Sequence, residues 1–189
     1  MSDNLKYTID ADDNPVAVFK FPRQPAGERL CLSDFTADER SGKTDFVAAF
    51  VVTCGGGIRE LSDKYRDSGE YLKSHALQSI AIESAEAFAE LLHERIRAMW
   101  GFPDPAAMTV KEKFQARYRG LRVSFGYPAC PNLEDQEKLF KILEPERIGV
   151  RLTEGFMMEP EASVSALVFH HPDAHYFSAG EAFASPEPL

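Results

Sequence analysis

The chain has 189 residues, and its 30 Asp and Glu outnumber its 21 Lys and Arg to give a net charge of −9. A single domain of this length buries enough surface to fold without disulfides or a structural metal. The acidic balance argues against sequence-independent nucleic-acid binding, because such binding relies on basic surface to displace counterions from phosphates. The longest apolar run, at 46–53, is far shorter than the ~20 residues that a membrane-spanning helix needs.

Cysteine usage indicates the compartment. Cys31, Cys54 and Cys130 are odd in number and widely spaced, so they fit neither a disulfide framework nor a metal-binding motif. The N-terminus is acidic and polar, unlike a secretory signal. We therefore expect a cytoplasmic protein in a reducing environment.

The two chain ends differ from the interior. Residues 1–14 carry four Asp, and the tail at 184–189 has two prolines, so both are predicted to be flexible. The strongest interior break is the pair Pro103 and Pro105. We expect one domain at 15–183 between two loose ends.

Before the proline break, short strands are predicted at 17–21, 30–35 and 46–53. The third is an uninterrupted Val- and Phe-rich run, which is typical of a strand covered on both faces. Gly55-Gly56-Gly57 ends this run in a turn, and a helix is predicted over 58–66.

A long amphipathic helix is predicted over 71–99, with Asp67 and Glu70 as a candidate capping box. Steps of one, three and four residues place its apolar side chains on one stripe. These apolar positions are Leu77, Ile80, Ala81, Ala85, Phe88, Leu92, Ile96 and Met99. The charged positions opposite are Glu83, Glu86, Glu90, Glu94 and Arg97.

After the break, helices and strands are intermixed. The predicted elements are a helix at 109–118, a strand at 121–125, a helix at 134–143, and strands at 148–153 and 163–170. Thr109 and Glu112 form a capping box at the start of the first. Because the regular strand–helix alternation of a doubly wound fold is absent, we predict an α+β domain. It would have a mostly antiparallel twisted sheet flanked by helices, including the long amphipathic one.

The segment 119–131 places an arginine close to a rigid loop. Gly126, Pro128 and Pro131 force an irregular backbone directly after a predicted strand. Backbone groups of such a loop can hydrogen-bond the edge of a flat heterocycle, and Arg122 offers a fork that fits a carboxylate. From composition alone, a proline-locked loop beside a surface arginine is the simpler interpretation.

Patterns for metal binding and nucleophilic catalysis are weak. His170, His171 and His175 fall within six residues, but Pro172 prevents a helical spacing, so no metal site is predicted. Gly55-Gly56-Gly57 lacks the Lys-Ser/Thr that follows a phosphate-binding loop. No serine or cysteine stands in a nucleophile motif, so no catalytic residue is predicted.

A basic stretch stands out in the acidic chain. Between 111 and 122, five basic residues accompany the single acid Glu112, for a net charge of +4. The five are Lys111, Lys113, Arg117, Arg119 and Arg122. Such a stretch suits an anionic ligand or an acidic partner protein, and it equally suits a solvated helix face with no partner.

Several long motifs then resemble one family. The segments RVSFGYPACPNLEDQ and GVRLTEGFMMEPEASVSALVFHHPDAHYF resemble the C-terminal activation domain of cobalamin-dependent methionine synthase. That family carries R-x-x-x-G-Y-P-A, then L-T-E-x-F-x-M-x-P-x-A-S-V-S, then H-P-x-A-x-Y, and all three occur here in order. The similarity extends back through SAEAFAELLHERIRAMWG and LSDF…GKTDFVAAFVVT, so it covers roughly 15–180.

The resemblance implies a reactivation module. Such a domain binds S-adenosylmethionine and presents its methyl group to cob(II)alamin, held by another domain or chain, for reductive methylation. The electron would come from flavodoxin or an equivalent reductase, for which the basic residues Lys111, Lys113, Arg117 and Arg119 are the predicted contact. As one domain of a methyltransferase, the chain alone is not expected to catalyse the full reaction.

The resemblance also implies the ligand contacts. Arg122 would pair with the carboxylate of S-adenosylmethionine, Asp34 would take its ammonium group, and Glu86 would line the polar end of the pocket. Tyr176 and its neighbour Phe177 would close the pocket. Four residues would frame the adenine by backbone contact: Gly126, Tyr127, Pro128 and Ala129.

Two other functions stay open at this point. One is a non-catalytic docking domain for a cobalamin protein or reductase that has lost ligand binding. The other is an unrelated small-molecule-binding domain that carries the motifs by coincidence.

Overall fold

The computed structural model describes residues 4–8 and 15–179. The strands are β1 (Asn4–Thr8), β2 (Pro15–Lys20), β3 (Ala48–Thr53), β4 (Leu121–Val123), β5 (Arg151–Leu152), β6 (Met158–Glu159) and β7 (Ser163–Phe169). The helices are α1 (Ile58–Asp67), α2 (Tyr71–Met99), α3 (Val110–Phe114) and α4 (Gln136–Leu143). The rest of the predicted loose segment at 1–14 and the whole tail at 184–189 lie outside the described residues.

All strand pairs in the described residues are antiparallel. The central sheet has the order β3-β7-β4, while β1 pairs with β2 and β5 with β6. With helices packed around these sheets, the predicted α+β class is confirmed. Within the described part of the chain, no helix has both the length and the apolar character that a bilayer-spanning segment requires.

Strand β7 organises the core because every residue in it is buried. Val164, Ala166 and Val168 pack toward α2, where they meet Ala85 and Ala89. The alternate residues face the other way, since successive side chains of a strand point to opposite faces. There, Leu167 and Phe169 join the larger core with residues of β2, β4 and α4.

Helix α2 has the predicted bounds, but its buried face differs from the predicted stripe. Ile80, Phe88 and Met99 are exposed, at 64%, 46% and 75%. Ala81, Ala85 and Ile96 of the predicted stripe are buried, and the other buried positions are Ser74, Ala89, His93 and Arg97. Small alanines let the helix approach the sheet closely, and polar His93 and Arg97 are buried because partners from the following segment cover them.

Three other predictions were wrong in detail. Residues 30–35 contain a 3₁₀ helix at Leu32–Phe35 rather than a strand, because the Asp34 carboxylate accepts from the Cys31 N–H at 3.0 Å and closes a local turn. Asp67 ends α1, and Glu70 is the N-cap of α2 without a side-chain cap bond. Strand β3 is only partly covered, with Phe50 and Val52 buried and their neighbours half-buried.

Several elements are shorter than their patterns indicated. Helix α3 begins at the predicted Thr109–Glu112 capping box, where the Thr109 hydroxyl accepts from the Glu112 N–H at 3.3 Å. It ends at Phe114, and Ala116 has a φ of +50°, a left-handed conformation that no α-helix continues. Only Arg151–Leu152 of 148–153 is a strand, since a 3₁₀ turn occupies Pro145–Ile148.

Candidate functional site

Strand β4 directs Arg122 toward α2. Leu121 and Val123 are buried in the larger core, so the side chain between them points to the opposite face of the sheet. On that face Arg122 Nη2 lies 3.6 Å from Glu86 Oε2 and 3.8 Å from Glu90 Oε2. Both are ion-pair distances, and the guanidinium donates no hydrogen bond to the described residues. Its donors are therefore available to an anionic group in front of it.

The loop after β4 is a tight turn. Gly126, with a φ of +88°, donates its N–H to the Cys130 carbonyl at 2.9 Å, and Cys130 donates to the Tyr127 carbonyl at 2.8 Å. The Pro128 carbonyl accepts from the Ala179 N–H at 3.0 Å, which ties the turn to the segment after β7. A Cβ at Gly126 would lie 3.1 Å from Leu133 Cδ1. Both the backbone conformation and the close neighbour therefore favour glycine there.

These elements enclose a cleft of about 380 Å³. It is lined by Glu86, Arg122, Val123, Ser124, Tyr127 and Tyr176. Tyr127 and Tyr176 are half exposed and give the cleft two aromatic side chains. Partial burial raises the pKa of Tyr176 above its ordinary value. The cleft thus combines a charged end with aromatic surface, at a volume typical of small-molecule sites.

The structure brings some of the predicted site residues together and separates others. Glu86, Arg122, Tyr127 and Tyr176 all line the cleft, and Gly126, Pro128 and Ala129 form the turn beside it. Phe177 is instead 7% exposed in the larger core, edge-on to Phe35 with ring centroids 6.1 Å apart.

Asp34 does not line the cleft. Its carboxylate accepts from both terminal nitrogens of Arg23, at 2.6 and 2.8 Å. The two hydrogen bonds from Arg23 lower the pKa of Asp34. The acid is held in a structural contact beside the 3₁₀ turn.

Sequence reasoning missed three residues at the site. Val123 and Ser124 line the cleft, and Glu90 lies within ion-pair distance of Arg122 without lining the cleft. A signal for Glu90 was present, because it follows Glu86 by one helical turn on the charged side of α2. Its contact with Arg122 could not be predicted from the sequence, because it depends on how β4 packs against α2.

The basic stretch is partly neutralised. Lys113 Nζ lies 2.6 Å from Glu94 Oε2, and Arg119 donates to the His170 carbonyl at 2.9 Å. The Arg119 guanidinium also stacks on Phe102, with its carbon 4.3 Å from the ring centroid. Lys111 and Arg117 are exposed.

Two histidines of the histidine segment lie at hydrogen-bond distance from carboxylates on other segments. His170 Nε2 lies 2.7 Å from Asp45 Oδ1, and His175 Nε2 lies 3.3 Å from Glu28 Oε2. Within the described residues, no group of three His, Cys, Asp or Glu is placed to hold a metal ion.

A second cleft, of about 410 Å³, lies beside the glycine turn that precedes α1. Its cations are Arg59 and Arg151, and both form ion pairs with Glu159. Because both arginines are in direct contact with Glu159, their donors are less available to an anionic ligand than those of Arg122.

An α+β domain with an arginine, a glutamate and two tyrosines around one cleft is typical of a small-molecule-binding domain. The family model described as "Vitamin B12 dependent methionine synthase, activation domain" matches residues 2–184. The chain belongs to this family, which confirms the resemblance seen in the sequence.

Similar proteins agree with this assignment. The methionine synthase of Mycobacterium tuberculosis (strain ATCC 25618 / H37Rv) is 39% identical over 94% of the chain, and that of Mycobacterium leprae (strain TN) is 41% identical over 85%. The chain spans only 16% and 14% of their lengths. A solved structure described as "Crystal Structure of the MetH Reactivation Domain bound to AdoHcy" matches with a TM-score of 0.87 and 34% identity. The match covers 94% of this chain and 57% of that one.

Proposed function

We propose that the domain binds S-adenosylmethionine in the Arg122 cleft and serves as the reactivation module of a cobalamin-dependent methionine synthase. Membership of the activation-domain family supports the role, and the similar reactivation domain bound to AdoHcy supports the ligand class. The bound ligand would supply an activated methyl group for the cobalt of a corrin held by another part of the protein. The residues of this chain bind and orient that ligand.

The main support for the proposal is that Arg122 lines the cleft with unused hydrogen-bond donors. Its side chain is 18% exposed and lines the cleft, and its guanidinium donates no hydrogen bond to the described residues. A carboxylate can accept two parallel hydrogen bonds from a planar guanidinium group. Glu86, exposed at the same end of the cleft, suits the ammonium group of the same amino-acid moiety.

The other end of the cleft suits the adenosyl group. Tyr127 and Tyr176 offer aromatic surface on which a flat base can pack. The turn at Gly126, Pro128 and Ala129 is rigid and close by, so its backbone can hydrogen-bond the edge of the base. Asp34 and Phe177 would act indirectly, by fixing the segments around the cleft rather than by touching the ligand.

The proposal includes two partners and a compartment. The cobalamin-binding domain would face the cleft, and flavodoxin or an equivalent reductase would supply the electron. Lys111, Lys113, Arg117 and Arg119 are the proposed contact for that acidic reductase. A cytoplasmic location fits the three free cysteines.

Calorimetric titration tests ligand binding directly. We expect S-adenosylmethionine and S-adenosylhomocysteine to bind the intact chain. Arg122→Ala should weaken binding by about 2 kcal/mol, which is roughly thirtyfold, because the ligand carboxylate loses a charge-assisted partner.

Arg95→Ala is the matched control, since Arg95 is exposed on α2 and does not line the cleft. It should bind as the unmodified chain does. No binding heat from either ligand would contradict the proposal and favour a docking domain that has lost its ligand.

A further inference from the structure

A largely buried cluster of ionisable side chains lies next to Arg122. It consists of Glu90, His93 and Arg97 on α2, together with Asp104 and Tyr118. Arg97 is 1% exposed and forms a two-point pair with Asp104, with N–O distances of 2.7 and 2.6 Å. The carbon of its guanidinium also stacks 3.7 Å from the centroid of the Tyr118 ring. Arg97 and Tyr118 are therefore fixed in position.

Glu90 joins this cluster to Arg122. Its Oε1 lies 3.8 Å from Arg97 Nη2, and its Oε2 lies 3.8 Å from Arg122 Nη2. The Tyr118 hydroxyl donates to Oε2 at 3.3 Å. One carboxylate thus stands between two guanidinium groups, one rigidly buried and the other facing the cleft.

We propose that Glu90 is a positioning residue, which holds the Arg122 guanidinium in the orientation that receives the ligand carboxylate. The proposal rests on the proposed function of the cleft. At 3.8 Å, Glu90 attracts Arg122 without occupying its hydrogen-bond donors. Without the carboxylate, Arg122 would keep only Glu86, at 3.6 Å, as a neighbouring acid and would lose the contact that ties it to the fixed Arg97–Asp104 pair.

Two ligands separate positioning from a general role in stability. S-adenosylhomocysteine carries the amino-acid carboxylate, whereas 5′-methylthioadenosine has the same nucleoside and lacks it. Glu90→Gln should lower the affinity for S-adenosylhomocysteine about tenfold, the scale of one misplaced charge-assisted hydrogen bond. Its affinity for 5′-methylthioadenosine should stay unchanged.

Two further variants complete the test. Tyr118→Phe keeps the ring under Arg97 and removes only the hydroxyl that holds Glu90, so it should cause a smaller loss with the same selectivity. It decides the question if Glu90→Gln does not fold. Glu94→Gln is the matched control, because it removes the same charge one turn along α2, where the partner is Lys113. It should leave both affinities unchanged.

The outcomes distinguish a failure of the positioning role of Glu90 from a failure of the proposed function of the cleft. Equal losses for both ligands, or no loss, in Glu90→Gln and Tyr118→Phe would overturn the positioning role. If Arg122→Ala itself left the affinity for S-adenosylhomocysteine unchanged, the proposed function of the cleft would fail instead.

Discussion

His93 is an ionisable side chain whose charge is suppressed by the fold. It is fully buried, and neither ring nitrogen has a hydrogen-bond partner in the described residues. The Tyr118 ring meets it edge-on, with centroids 5.0 Å apart. Burial, reinforced by the positive charge of Arg97, lowers the pKa of His93 from 6.5 to about 3. The folded protein therefore holds this imidazole neutral.

Because the folded protein keeps His93 neutral, we expect it to lose stability in mild acid. Below pH 6.5 His93 becomes protonated in the unfolded chain but stays neutral in the folded chain. The free energy of unfolding therefore falls as the pH drops toward 3. At pH 4.5 this contribution amounts to roughly 2–3 kcal/mol. We expect His93→Leu to lack it, as measured by urea unfolding at pH 7 and pH 4.5.

His75→Leu provides the comparison, because His75 is exposed on the same helix. It should keep the acid sensitivity of the unmodified chain. An equal loss in His93→Leu and the unmodified chain would show that His93 is not the group responsible.

The turn after β4 is the element that connects the two ends of the cleft. It begins at Gly126 and carries Tyr127, while Arg122 lies a few residues earlier on the strand. Gly126→Ala would impose a left-handed conformation on alanine, at a cost of about 1–2 kcal/mol. Its methyl group would also press on Leu133. We expect a lower melting temperature and weaker binding of S-adenosylhomocysteine.

Gly155→Ala is a matched control for the turn. Gly155 has open space around its Cβ position and no positive φ, so alanine there should be neutral or slightly stabilising. If Gly126→Ala bound the ligand as tightly as Gly155→Ala, the geometry of the turn would not matter for the site.

The elements also show what the sequence could and could not reveal. The bounds of α2 were predictable because twenty-nine residues carry a sustained helical pattern. Its buried face was not fully predictable, since Arg97 is covered by Asp104 and Tyr118, which lie beyond the helix. Arg122 and Tyr127 were found from a local motif. The contact of Glu90 with Arg122 depends on how β4 and α2 align, and no local pattern specifies that.

At the scale of the whole molecule, charge is unevenly distributed. The chain has a net charge of −9, yet Lys111 and Arg117 are exposed close in sequence to Phe114, which is 86% exposed. Exposed cations beside an apolar side chain suit an acidic partner that buries the ring. Lys113 and Arg119 contribute less free charge, because both are engaged within the domain.

If the proposed contact with an acidic flavodoxin exists, its strength should depend on salt concentration. The double variant Lys111→Ala/Arg117→Ala should bind about fivefold more weakly at low salt, with most of the effect in the association rate. The difference should disappear as ionic strength rises, because exposed charges are screened. Surface plasmon resonance across a salt series would measure both.

Lys141→Ala/Arg147→Ala removes the same charge from another part of the surface, where each cation pairs with a neighbouring glutamate. It should bind like the unmodified chain. Equal weakening in both double variants would indicate a response to total charge rather than to a docking patch.

The cleft is assembled from three distant parts of the chain: Glu86 on α2, Arg122 to Tyr127 on β4 and its turn, and Tyr176 after β7. None of these parts can form the cleft alone, so an unfolded chain has no counterpart of the site. Binding of the proposed ligand would therefore raise the global free energy of unfolding by RT ln(1 + [L]/Kd), where [L] is the free ligand concentration. Occupancy should delay cooperative melting of the entire domain rather than protect a single loop.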